Sequence, residues 1–140
     1  FVSTDPDPAL AYQWEKQAVA PLVLLAQYPE LWDWAVVIGY YGVEFRAVNG
    51  TQYAMYAFAH RIGQYRYNIV GINPKTVQLF SPAFILVLYI HELQHIVELN
   101  HTGVTSECSA WAATAKVQEL LLLTEYERQQ LKNIQGFQCR

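Results

Sequence analysis

The chain is poor in charged residues. Aspartate, glutamate, lysine and arginine make up 15% of its 140 residues, and the nine lysines and arginines form no cluster. The formal net charge is −3. Because proteins that bind nucleic acids use concentrated positive charge to neutralise phosphates, this composition argues against a nucleic-acid partner.

Cysteine is also scarce, with only Cys108 and Cys139 in the sequence. A disulfide between them would tie the C-terminal tail to a helix and would suit an oxidising compartment. Two buried thiols are the equally acceptable alternative. The sequence starts at Phe1 rather than methionine, so either a secreted or periplasmic protein or a shortened chain is compatible with it. The location is therefore left open.

No signal peptide or transmembrane segment is evident in the sequence. The longest apolar run, 83–90, is too short for a bilayer, and Glu92 and His95 interrupt its continuation. Hydrophobic residues nevertheless make up 53% of the chain, which is enough for a substantial core. We expect one domain over residues 1–140 with no membrane span, and the oligomeric state is not indicated.

An H-E-x-x-H motif runs from His91 to His95, and three of the four histidines fall between positions 91 and 101. Residues four apart lie on one face of a helix, so both imidazoles can bind one metal ion. Glu92 stands beside them and can reach a water molecule on that metal. This arrangement resembles the zincin metallopeptidases, which carry two zinc ligands and a general base on one helix. The competing interpretation is a helix whose histidines bind no metal.

The surroundings of the motif predict a buried helix over residues 82–100. Ser81 is a good N-cap, and Pro82 follows at the first helical position, where its missing N–H costs nothing. A helix that is apolar on all sides belongs in the interior of a protein. Gly103 marks the end of the helix, so the motif lies in its last part.

A tetrahedral zinc site with two histidines and one water needs a third protein ligand, and three residues are candidates. Glu107 follows the loop 100–105 at the start of the next predicted helix, which can turn back over the metal. Glu98 lies on the same helical face as the motif histidines. His101 has the spacing of the third histidine of metzincins. Metzincins, however, have glycine at the position of Glu98 and a downstream methionine turn, whereas the single methionine here is Met55.

The stretch 91–115 resembles the gluzincin clan of metallopeptidases, in particular its short members, the minigluzincins and ImmA-like domains. In these proteins the motif is followed by a glutamate that opens a second helix, often as E-x-x-A, and this chain has Glu107-Cys108-Ser109-Ala110. The resemblance implies that His91, His95 and Glu107 bind Zn²⁺ and that Glu92 is the catalytic base. Longer gluzincins carry an aspartate four residues after the ligand glutamate. Here that position is Trp111, so another residue must support the zinc histidines.

The remaining pattern predicts an α+β fold, with a small, mostly antiparallel sheet packed on the motif helix, an N-terminal helix and two C-terminal helices. Predicted helices are Pro8–Gln27, Pro82–Asn100, Ser106–Leu123 and Thr124–Asn133. Predicted strands are Ala35–Ile38, Val43–Val48, Tyr53–His60 and Gln64–Ile72, with turns at Asn49-Gly50 and Gly63. The resemblance to minimal zincins implies that an edge strand pairs with the substrate backbone, either Val43–Val48 or Tyr67–Ile72.

The sequence thus leads to the hypothesis of a zinc metalloendopeptidase acting on a peptide or protein substrate. Glu92 would take a proton from the attacking water and pass it to the leaving amine. His101, His60 or a tyrosine would stabilise the oxyanion, and the sequence does not distinguish among them. The alternative is a zinc-binding domain without activity, or a latent one whose terminal segments fill the cleft.

Overall fold

The computed structural model describes residues 8–47, 55–60 and 67–140. The helices in these ranges are α1 (Pro8–Ala26), α2 (Trp32–Tyr41), α3 (Pro74–Leu79), α4 (Pro82–His101), α5 (Glu107–Ala113), α6 (Ala115–Leu120) and α7 (Glu125–Gln138). The strands are β1 (Glu44–Ala47), β2 (Met55–His60) and β3 (Tyr67–Ile72). A 3₁₀ turn over Pro29–Leu31 joins α1 to α2. The bounds of α1 and α4 confirm the predicted helices.

The predicted fold class, with its small and mostly antiparallel sheet, is wrong. The described residues are mostly helical, and the sheet has the order β1-β3-β2. β1 runs parallel to β3, with Phe45 opposite Val70, whereas β2 is antiparallel to β3. The predicted turn at Asn49-Gly50 lies between β1 and β2, whose described residues lie on opposite sides of β3, so the alternating pattern before Asn49 is not one arm of a hairpin. Both predicted turns lie outside the described residues.

The position of β3 also corrects one of the two proposed edge strands. Tyr67–Ile72 is the central strand, because β1 pairs with one side of it and β2 with the other. Both of its backbone edges are therefore occupied. Of the two candidates, only the strand at Glu44–Ala47 has an edge that no other described strand pairs with.

The apolar run Ala35–Ile38 was predicted as a strand and instead lies in helix α2. A short apolar run does not by itself distinguish a buried strand from a helix. The helix is ended by Gly42, whose φ of 62° is the left-handed conformation that glycine adopts without strain. The indole of Trp32 donates to the Ala26 carbonyl at 2.9 Å, which fixes the start of α2 against the end of α1.

The C-terminal region contains three helices rather than the two predicted. Thr114 separates α5 from α6, where its buried hydroxyl donates to the Trp111 carbonyl at 2.7 Å. A threonine hydroxyl that bonds a backbone carbonyl of the preceding turn competes with regular helix geometry. The last helix begins at the predicted capping box, with Thr124 and Glu127, and continues to Gln138.

Helix α4 is the centre of the core, with 13 of its 20 residues buried. It packs against α1, α5 and the sheet. The Tyr89 hydroxyl donates to the Ala18 carbonyl at 2.9 Å, and burial raises the pKa of this phenol far above its usual range. By length and hydropathy alone α4 is the one helix in the described ranges able to cross a bilayer, but 72% of its apolar window is buried. It is therefore a core helix.

Asn100, near the C-terminal end of α4, holds the first residue of β3. Its Oδ1 accepts from the Tyr67 N–H at 3.0 Å, and its Nδ2 donates to the Tyr67 carbonyl at 2.7 Å. The same Nδ2 donates to the Ile96 carbonyl at 2.8 Å. One amide side chain thus satisfies both backbone groups of Tyr67 and fixes the central strand to the helix that carries the motif.

The N-terminal end of α4 is held by a buried carboxylate from α7. Ser81 caps the helix as predicted, with its hydroxyl accepting from the Phe84 N–H at 3.3 Å. Glu127 Oε2 accepts from the Ser81 N–H at 3.0 Å and from its hydroxyl at 2.6 Å. Glu127 Oε1 accepts from the Thr124 N–H at 3.1 Å. Burial alone would raise the pKa of Glu127, but the bonds from Ser81 and Thr124 outweigh it and lower that pKa.

We expect Glu127→Gln to lower the free energy of unfolding by about 2 kcal/mol at neutral pH, because hydrogen bonds to a charged acceptor are lost. The folded-state pKa is depressed, so this stabilisation is present above the unfolded value of about 4.3 and is lost as the pH falls through the lower folded value. Urea unfolding across this acidic range measures the difference. Exposed Glu125→Gln, in the same helical turn, is the control. A difference that did not shrink in acid would contradict the assignment.

Candidate metal centre

Local geometry brings the second helix of the site back over the first. At the end of α4, the N–H groups of Thr102 and Gly103 bond the carbonyls of Glu98 and Leu99, and Gly103 has a φ of 76°. This left-handed residue reverses the chain. Ser106 then caps α5, with its hydroxyl accepting from the backbone of the third residue of that helix.

The result is a triangle of three side chains, in which His91 and His95 each present Nε2 and Glu107 presents both carboxylate oxygens. His91 Nε2 and His95 Nε2 lie 3.1 Å apart. Glu107 Oε2 is 3.1 Å from His91 Nε2, and Glu107 Oε1 is 3.1 Å from His95 Nε2. In a tetrahedral site with metal–ligand distances of 2.0–2.2 Å, ligand atoms are about 3.3–3.6 Å apart. The three contacts are slightly shorter than that, and one ligand atom from each residue lies within 4.8 Å of the other two, so this group could hold a metal ion.

The contacts within the triangle are not those of an ordinary ion pair. Glu107 Oε2 is buried and has no hydrogen-bond partner among the described residues, although it is 3.1 Å from His91 Nε2. Burial, and then the neighbouring His95, lower the pKa of His91 to about 3. His91 is therefore neutral near pH 7, which is the form that binds a metal. His91 thus has the protonation state that binding of a cation requires.

Glu92 lies beside the triangle rather than in it. Its side chain is buried, and its Oε1 is 4.0 Å from His91 Nε2. The group of residues that could hold a metal ion does not include Glu92. The Glu92 carboxylate is close enough to contact a small molecule held next to the three ligand residues.

The two histidines have different surroundings. The ring of His91 packs on the indole of Trp111, with centroids 4.4 Å apart and planes at 50°. His91 Nδ1 is buried without a hydrogen-bond partner in the described part of the chain. The indole N–H of Trp111 is used elsewhere, donating to Gln138 Oε1 at 2.8 Å. The residue at the position of the gluzincin aspartate thus supports His91 by packing.

His95 is held instead by a hydroxyl and a carboxylate. Its Nδ1 is 2.8 Å from Thr105 Oγ1, and that hydroxyl donates to Glu98 Oε1 at 2.8 Å. Ser109 Oγ donates to the same carboxylate oxygen at 2.7 Å. Burial would raise the pKa of Glu98, but the bonds from Ser109 and Thr105 lower it. The sequence carried no signal for Thr105 or Ser109, because their contacts depend on how the loop folds.

The structure separates the three candidates for the third ligand. Glu107 joins the two motif histidines, whereas Glu98 lies behind His95 and contacts it through Thr105. His101 is exposed at the end of α4 and is not part of the group. The side chain of His60, a candidate for oxyanion stabilisation, lies outside the described side chains.

A disulfide joins Cys108 to Cys139, with Cα atoms 4.8 Å apart. The alternative of two buried thiols is therefore excluded. The bond ties the first turn of α5, directly after Glu107, to the end of α7. It anchors the helix that supplies the third residue of the triangle.

Comparisons with protein-family models, curated proteins and solved structures found no match for this chain. A functional assignment must therefore be argued from the residues of the site itself.

Proposed function

We propose that this protein is a zinc-dependent metallopeptidase of the zincin type. His91, His95 and Glu107 would be the metal ligands, and Glu92 the general base. The observation that carries the proposal is the triangle of 3.1 Å spacings with the Glu92 carboxylate beside it. The resemblance of 91–115 to the short gluzincins agrees with this assignment.

The donor set favours zinc. Two imidazole nitrogens and one carboxylate are the ligands of many catalytic zinc sites, in which a fourth position stays open. The histidine side chains are only 5% and 8% exposed, whereas that of Glu107 is 41% exposed. The open position would therefore face the Glu107 side, from which a substrate can approach.

The chemistry requires a base and an electrophile close together. When bound, zinc makes a water molecule acidic near neutral pH and polarises a carbonyl group. Glu92 would accept a proton from the water that attacks the peptide carbonyl and donate it to the leaving amine. Because the Glu92 side chain is buried, it would act in a water-poor environment, where electrostatic interactions are stronger. The substrate class we propose is a peptide or protein.

The disulfide indicates the kind of compartment in which this activity would take place. Structural disulfides form and persist in oxidising compartments and are rare in the cytosol. We therefore propose that the protein works outside the reducing cytosol, in a secreted or periplasmic location.

The test of the metal site is zinc content, measured by elemental mass spectrometry on protein purified without a histidine tag. We expect close to one zinc per chain, and a Glu107→Ala variant with at least about 100-fold weaker affinity. Loss of a direct ligand should cost more than the 10–100-fold typical of an outer partner. Exposed Glu119→Ala is the control.

Two results would count against the site. Zinc content and affinity unchanged in Glu107→Ala would remove Glu107 from the ligand set. A wild-type chain that takes up no zinc after reconstitution would overturn the proposed function as a whole.

A further inference from the structure

The loop between α4 and α5 contains a hydrogen-bond relay that ends on His95. Thr105 has one hydroxyl proton, and Glu98, as a carboxylate, can only accept a hydrogen bond. The hydroxyl must therefore donate to Glu98 Oε1, at 2.8 Å. Its oxygen is then an acceptor for the His95 Nδ1, also at 2.8 Å. The direction of every proton in the relay is set by the carboxylate at its end.

This direction determines the tautomer of His95. If Nδ1 carries the proton, then Nε2 of the neutral ring carries the lone pair. Nε2 is the atom that lies 3.1 Å from Glu107 Oε1 and 3.1 Å from His91 Nε2. The lone pair is thus held where the three candidate ligand residues meet.

We propose that Glu98 and Thr105 are positioning residues that fix the Nδ1–H tautomer of His95 and thereby prepare its Nε2 to bind a metal. This inference rests on the metal-binding part of the proposed function and is independent of peptidase activity. It also gives Glu98 a role that differs from the ligand role considered for it from sequence.

The two histidines are held by different means. His91 Nδ1 has no partner among the described residues, and its ring is oriented by packing on Trp111. His95 depends on the polar relay. A change in Thr105 should therefore affect the tautomer of His95 alone, which gives an internal reference within one protein.

Ser109 provides a matched control for the carboxylate. Its hydroxyl donates to the same Oε1 of Glu98, at 2.7 Å, but it makes no bond to His95 in the described structure. Ser109→Ala removes this hydrogen bond between α5 and α4, together with the contacts of the Ser109 hydroxyl with Ser106, without interrupting the relay. This variant therefore shows how much zinc affinity is lost through a weaker contact between the two helices, apart from any change in the His95 tautomer.

The experiment compares Thr105→Val, Thr105→Ser and Ser109→Ala with the wild type. Ring ¹⁵N chemical shifts, recorded on metal-free protein at mildly alkaline pH, report the tautomer of each histidine. Competition with a chromophoric chelator gives the zinc affinity. We expect Thr105→Val to mix the His95 tautomers and to weaken zinc binding about 10–100-fold. Thr105→Ser should keep the wild-type tautomer, and Ser109→Ala should lose less than about tenfold in affinity.

If Thr105→Val does not fold, Glu98→Ala provides a second test of the relay. In that variant the Thr105 hydroxyl is free to donate to His95, so the Nε2–H tautomer should become populated. Unchanged His95 tautomers and zinc affinity in both variants would overturn the relay, even if the wild type binds zinc. If the tautomers shift as expected in the variants but the wild type binds no zinc, the relay is supported and the metal site is overturned.

Discussion

Glu92→Gln is expected to reduce peptide hydrolysis by about 10²–10⁴-fold while zinc stays bound. Glutamine has nearly the same shape as glutamate, but its amide cannot accept a proton from water at neutral pH. The Glu92 carboxylate lies 4.0 Å from His91 Nε2 and is not part of the ligand triangle. Metal content should therefore be retained when the base is lost.

Turnover is measured as kcat/KM on quenched fluorescent peptides, with zinc content determined on the same samples. Exposed Glu119→Gln is the control for loss of one negative charge. Full activity in Glu92→Gln would remove this residue from the mechanism. A wild-type protein that holds zinc but cleaves no peptide, before or after trimming of its terminal segments, would favour the alternative of a zinc-binding domain without activity.

Removal of the disulfide is expected to lower the free energy of unfolding by about 3–4 kcal/mol. Cys108 and Cys139 are 31 residues apart, and a cross-link that closes a loop of this length restricts the unfolded chain by about that amount. The protein is small, so this is a large part of a typical total stability of about 5–15 kcal/mol. The variant to study carries serine at both positions, which avoids a single reactive thiol.

Urea unfolding of the double variant, beside wild type with and without reductant, measures this effect. Reductant should lower the urea midpoint of the wild type to a value close to that of the variant, and it should leave the midpoint of the variant unchanged. A wild type whose urea midpoint does not move on reduction would show that the cross-link adds little to stability. Zinc affinity of the folded variant reports separately on how far the bond fixes Glu107.

The features that were predicted correctly from sequence are local ones. The start of α4 follows from Ser81 and Pro82, and both its cap and its bounds were confirmed. The meeting of His91 and His95 follows from helical periodicity. Glu107 joins them because the loop before α5 is short and reverses at Gly103.

The features that were missed depend on contacts between distant parts of the chain. The run Ala35–Ile38 contains no information on whether it packs as a strand or as a helix. The parallel pairing of β1 with β3 joins residues such as Phe45 and Val70, which a local alternation cannot match to each other. The relay from Glu98 through Thr105 to His95 exists only because the loop folds back on α4. Contacts between residues this far apart in the sequence can be identified only from the three-dimensional structure.

The hydrogen bonds from Asn100 to Tyr67, the first residue of β3, have a consequence for the production of the protein. Asn100-His101-Thr102 matches the tripeptide that eukaryotic secretory cells modify with N-linked glycans. A sugar on Nδ2 would leave one amide proton, yet this nitrogen donates to the carbonyls of both Tyr67 and Ile96. Glycosylation of Asn100 would therefore break at least one of these two hydrogen bonds. A bacterial host, which does not attach this sugar, is the appropriate choice for expression.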